Sequence, residues 1–197
     1  MNVLRCHELP VERLATLFRP YGLRIEQVAA DRSVPGSYWG DEEAGLIGDV
    51  LYLRPDTPVH SALHEACHYL CLDPARRAGL DTDAGGDYDE ENAVCYLQIL
   101  LADAVEGFGR GRMFADMDAW GYSFRLGSAR AWFERDAEDG RAGAVLGQVV
   151  EGSVDDYEAC VAASSEAFAR WRTLPAPLRG DYVRRIEGGD EGKIREC

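Results

Sequence analysis

Apolar positions recur along this chain with two periods. Between Leu9 and Arg19, Leu14, Leu17 and Phe18 share one helical face, Pro10 suits the first turn, and Pro20-Tyr21-Gly22 ends the run. Leu23 to Ala29 alternates apolar and polar residues and predicts a strand. Asp31 to Glu43 is turn-rich, with Pro35-Gly36 and Gly40-Asp41. Gly45 to Leu53 is dense in β-formers and is stopped by Pro55, so it predicts the best strand. Asp56 or Thr57 then caps a helix running to Leu72, with Pro58 in its first turn and Asp73-Pro74 at its end. Ala75 to Asp87, rich in Asp and Gly, reads as a solvated loop without the calcium-loop spacing.

Tyr88 to Val105 is a second strong helix. An acidic first turn suits its dipole, and its apolar stripe is Ala93, Val94, Leu97, Leu100, Leu101 and Ala104. Arg112 to Trp120, Ser128 to Ala137, Ala142 to Val150 and Val154 to Trp171 predict further helices. Gly121 to Gly127 is an aromatic connector bounded by glycines. The expected class is α+β: a mainly helical domain with a small antiparallel sheet whose last strand precedes the helix 57–72. With no repeat or linker, residues 1–187 are expected to form one domain and 188–197 a polar, frayed tail.

The helix 57–72 carries His64-Glu65-Ala66-Cys67-His68, an H-E-x-x-H pentapeptide. Residues four apart lie one above the other on a helix, so His64 and His68 can reach one Zn²⁺ while Glu65 stands beside it to polarise a bound water. Hydrolytic zinc sites usually have three protein ligands. No histidine follows His68, and the others are His7 and His60, so the third ligand is a carboxylate on the next helix. Glu90 shares a face with the apolar stripe, where a carboxylate is costly unless a cation compensates it; Glu91 shares a more polar face with Cys95 and Gln98. This favours Glu90, with Glu91 second. An oxyanion donor would come from Tyr122 or Arg125 in the aromatic connector. His60, one turn before His64, reads as a surface or helix-start residue, with a fourth metal neighbour or a cleft-lining residue as alternatives, and Tyr38 and Trp39 as packing or substrate-facing residues.

A strand, then His64-Glu65-Ala66-Cys67-His68, then Glu90-Glu91-Asn92-Ala93 resembles the gluzincin pattern H-E-x-x-H … E-x-x-A, over about residues 45–105. The short spacing is similar to the compact minigluzincins of the ImmA/IrrE type. The chain departs from them at Cys67, Val94 and the missing proline after Leu100-Leu101. The resemblance implies a zincin-like fold with residues 46–53 along the cleft rim. It implies His64, His68 and Glu90 as ligands and Glu65 as catalytic base of a zinc peptidase acting on a protein or peptide. The alternatives are a zinc-bound regulatory or protein-binding domain without turnover, and a helical domain in which the pentapeptide is accidental.

Charge narrows the partners. The 197 residues carry a formal net charge of −14, which argues against general affinity for nucleic acid or anionic membranes. No stretch approaches the roughly 20 apolar residues of a membrane span, and the start lacks a signal-type apolar core, so a cytoplasmic protein is expected. The six cysteines, in no C-x-x-C pair, read as free thiols.

Overall fold

The computed structural model describes residues 2–137 except 41, 73 and 85–87; the side chains of 74 and 88–90 also lie outside the described residues. Helix α1 (Val11–Phe18) leads into strand β1 (Arg24–Gln27), then β2 (Gly45–Ile47) and β3 (Val50–Leu53). Five helices follow: α2 (Val59–Cys71), α3 (Pro74–Ala78), α4 (Tyr88–Ala102), α5 (Gly109–Trp120) and α6 (Ala129–Arg135). The α+β class is as expected. The helices predicted at 142–150 and 154–171, the domain limit at 187 and the tail lie outside the described residues.

The sheet differs from expectation in two ways. Residues 45–53 are a hairpin rather than one strand, because Gly48-Asp49 forms a two-residue turn that pairs Ile47 with Val50; Gly48 takes φ +55°, as hairpin turns of this length demand. That reversal makes the sheet mixed rather than antiparallel. In the order β1-β3-β2, β3 runs parallel to β1 and antiparallel to β2. The 75–87 loop also begins with a helical turn, α3.

The edge of β2 is already occupied. The Leu46 N–H donates to the Gly36 carbonyl at 3.1 Å, and the Leu46 carbonyl accepts from the Thr82 N–H at 3.1 Å. Gly48 N–H donates to Leu80 O at 2.8 Å. Gly45 lets the 34–37 turn lie against this strand: a Cβ there would stand 1.9 Å from the Pro35 carbonyl oxygen.

Helix α2 packs on β2 and β3 on one side and on α4 on another, and α4 in turn packs on α5. Leu46, Leu51, Leu53, Leu63, Ile99 and Leu101 are fully buried in that core. Burial of each such side chain contributes about 1.5–3 kcal/mol. No disulfide joins the described cysteines.

The N-terminal arm anchors both ends of this layer. Val59 N–H donates to Leu4 O at 2.9 Å and Cys6 N–H to Thr57 O at 2.8 Å, fixing the start of α2. Leu4 N–H donates to the buried Asp116 carboxylate of α5 at 2.9 Å. Arg112 bridges the same carboxylate at 2.6 Å and the Asn2 carbonyl at 2.8 Å. The buried charge is therefore paired and hydrogen-bonded, the condition under which burial is tolerated.

Candidate metal centre

Pro58, in extended conformation, starts α2 without sacrificing an N–H bond, and the helix runs unbroken through the pentapeptide. His64 and His68 therefore project from one face. Their Nε2 atoms stand 3.2 Å apart, with ring planes at 87°. Two nitrogens each about 2.0–2.1 Å from one tetrahedral ion would be separated by roughly 3.3 Å.

The carboxylate that joins them is Glu91. Its Oε1 lies 3.3 Å from His68 Nε2 and its Oε2 3.7 Å from His64 Nε2. Among the described residues these are the ones whose ligand atoms gather within 4.8 Å of one another. The side chain of Glu90, favoured from the sequence, is outside the described residues. The reasoning that ranked the two looked for a carboxylate on the apolar stripe. In the fold, however, Glu91 and Cys95 both line the cleft, and Gln98 reaches His64 from the same polar side of α4.

Gln98 is the residue the sequence reading did not weigh as part of the site. Fully buried in α4, its Oε1 lies 3.1 Å from His64 Nδ1, and its Nε2 donates to Met117 Sδ at 3.3 Å. With its amide oriented by Met117, Gln98 Oε1 accepts a hydrogen bond from His64 Nδ1–H, the tautomer this partner assigns, and leaves the Nε2 lone pair facing the cluster. The signal was a lone amide between Leu97 and Ile99 in an otherwise apolar run. His68 Nδ1 is buried with no hydrogen-bond partner among the described residues. Burial, and for His64 the neighbouring His68, hold His64 at about 3; burial and Arg76 hold His68 at about 4. Both are thus neutral imidazoles at pH 7, the form that ligates metals.

Glu65 and Tyr122 line the same cleft, of about 580 Å³, with Glu43, Asp83, Trp39 and Trp120. Burial, reinforced by Glu43 and Glu91, pushes Glu65 up to about 8. Its carboxyl therefore changes protonation near neutral pH, beside two neutral imidazoles. The Tyr122 ring lies 5.9 Å from that of His64. Burial, with Cys95 and Glu65 nearby, pushes its phenol well up, against a hydrogen bond from Gln98 that lowers it. Arg125 instead pairs with Asp136 on the exposed side. His60 is fully buried between the rings of Trp120 at 5.2 Å and Tyr122 at 5.7 Å, a packing residue with neither nitrogen hydrogen-bonded among the described residues.

No family model and no solved structure matches the chain. Among curated proteins it is similar to aldehyde dehydrogenase family 7 member A1 of Pisum sativum, 55% identical over 50 residues, which is 25% of this chain and 10% of that protein. The Brassica napus protein of the same name is 51% identical over 49 residues, again 25% and 10%. The chain thus spans about a tenth of the length of the curated relatives it matches. These similarities are to aldehyde dehydrogenases and overturn the expectation of a gluzincin-type zinc metallopeptidase, hydrolase activity included. The fold supplies a physical reason as well. The strand expected along the cleft rim has both outward backbone groups of Leu46 already bonded, to Gly36 and Thr82, leaving no edge there for an extended substrate. Glu65 as base and Tyr122 as oxyanion donor belonged to that reading and fall away with it as roles. Their positions in the cleft stand, and the similarity to the two aldehyde dehydrogenases is confined to a segment of 49–50 residues.

Proposed function

We propose that this chain is a zinc-binding protein, with one Zn²⁺ held by His64, His68 and Glu91 on the floor of the cleft. The observation that supports it best is the pair of Nε2 atoms 3.2 Å apart, with His64 Nδ1 held by Gln98 so that its lone pair turns inward. Two imidazoles and a carboxylate suit Zn²⁺ over Ca²⁺ or Mg²⁺, which prefer all-oxygen shells. Bound there, zinc would supply Lewis acidity and a coordination position for a donor entering from the cleft. Gln98 orients His64. Without metal, burial keeps a proton on the Glu65 carboxyl near neutral pH; a zinc ion beside it would favour the carboxylate, placed to accept a hydrogen bond from whatever occupies the cleft. The acidic chain remains an unsuitable partner for nucleic acid or anionic membrane, and among the described residues no helix is long and apolar enough to cross a membrane. The absence of a disulfide among the described cysteines fits a reducing compartment, so we place the protein in the cytoplasm.

The test is metal content after purification and dialysis against a weak chelator. One zinc per chain is expected for the native protein, and much less for His68→Ala or Glu91→Ala. Equal zinc in all three proteins would reject the site. The dehydrogenase similarity favours a second reading, that the chain takes part in aldehyde oxidation. Aldehyde-dependent reduction of a nicotinamide cofactor by the purified protein, followed by absorbance, tests that reading.

A further inference from the structure

The cleft is lined by the carboxyl groups of Glu43, Glu65, Asp83 and Glu91 and by the rings of Tyr38, Trp39, Trp120 and Tyr122, and no lysine or arginine lines it. Trp39, Glu43 and Trp120 also line a second groove of about 500 Å³, together with Glu42 and with Arg54, whose guanidinium is paired with Asp56. Trp39 is 71% exposed and Tyr38 64%, stacked edge-to-face at 5.1 Å. Large aromatic surface on a charged rim marks a contact face rather than a packing defect.

The chain's own Arg5 shows what this wall receives. Its guanidinium lies over the Trp120 ring at 5.6 Å and meets the Glu42 carboxylate at 2.5 Å. An indole face beside a carboxylate is a guanidinium seat, since the planar cation stacks on the ring while its N–H groups reach the acid. Trp39, exposed to solvent, and Glu43 line the same groove as Trp120 and Glu42 and offer an indole and a carboxylate once more.

We propose that this trough docks an arginine-bearing segment of a partner protein, with a guanidinium on the exposed Trp39 ring beside Glu43. Two neighbouring grooves give room for several residues rather than one small cation. With the Leu46 edge occupied, the segment is held through side chains and not by strand addition. This docking does not depend on the zinc site, and the two are tested separately.

The probe is a fluorescein-labelled eight-residue peptide of alternating glycine and arginine, with lysine and citrulline counterparts, followed by anisotropy in zinc-loaded and chelator-treated protein. The arginine peptide is expected to bind about tenfold more tightly than the lysine peptide, and citrulline to abolish binding. Trp39→Ala is expected to bring the arginine peptide down to the lysine level, Trp39→Phe to restore part of the loss, and both to keep native zinc content and melting temperature. The proposal is overturned if Trp39→Ala binds as the native protein does. Equal binding of arginine and lysine peptides also overturns it, since that would be general attraction to a chain of charge −14.

Discussion

The floor and the rim of the cleft are built by opposite means. The floor is three helices packed through a continuous apolar core, with His64, Gln98 and Met117 in a connected row and each of its imidazoles neutralised by burial. The rim, residues 28–40 and 42–44, is turn-rich, tied to the sheet through Val28 and Gly36, and bears exposed rings. The contrast teaches a division of labour. Atoms that must sit within tenths of an ångström of each other come from helices whose rotamers are locked by packing. Groups that must meet a partner of variable shape come from a loop.

The largest effect should follow from breaking the floor. His64→Ala or His68→Ala is expected to weaken zinc roughly 10²–10⁴-fold, measured by competition with a chromophoric chelator. Gly45→Ala attacks the joint between rim and floor. Its Cβ collides with backbone, so unfolding free energy should fall by about 2–4 kcal/mol in urea titration. Acid comes next. Burial holds His60 at about 3, whereas the unfolded chain titrates near the ordinary histidine value. The stability this histidine contributes is complete above about pH 6.5 and is lost as pH falls toward 3, by about 2 kcal/mol at pH 5. His60→Leu should flatten that part of the pH profile. Gln98→Leu keeps the packing volume but frees the His64 ring, and zinc affinity should drop about 10–100-fold. The smallest effect belongs to the rim: Trp39→Ala should change unfolding free energy by less than about 0.5 kcal/mol. A large loss there would mean that rim and floor are one unit and would dissolve the comparison.

The helices of the floor were legible in the sequence. Pro58 and Asp73-Pro74 bound α2, and the acidic opening and apolar stripe mark α4. Periodicity could not see that α4 is packed on more than one side, so the search for a carboxylate on its apolar stripe pointed to Glu90, whose side chain lies outside the described residues; among those described, the carboxylate beside both imidazoles is Glu91, from the polar face. The hairpin escaped because Gly48-Asp49 sits within an unbroken run of β-formers, and only register distinguishes a long strand from two short ones. The peptidase reading failed at a longer range. The pentapeptide fixes the direction of two side chains, but whether a strand edge beside it is open depends on Gly36 and on 80–82, segments remote from it in sequence. The trough shared by Trp39, Glu43 and Trp120 joins a loop to the end of α5 and carries no local signature at all.

The bond from Leu4 to Asp116 spans 112 positions. During synthesis Leu4 emerges before its partner on α5, which follows by roughly 6–22 s at 5–20 residues per second. Until then the start of α2 has its bonds to Leu4 and Cys6 without the clasp that joins the arm to the far side of the domain. The arm is therefore a latch that can shut only after α5 has emerged. A nascent chain stalled before Asp116 would hold both histidines while lacking that closure, and a pulse of protease during translation would find the arm cleavable up to that point and protected after it.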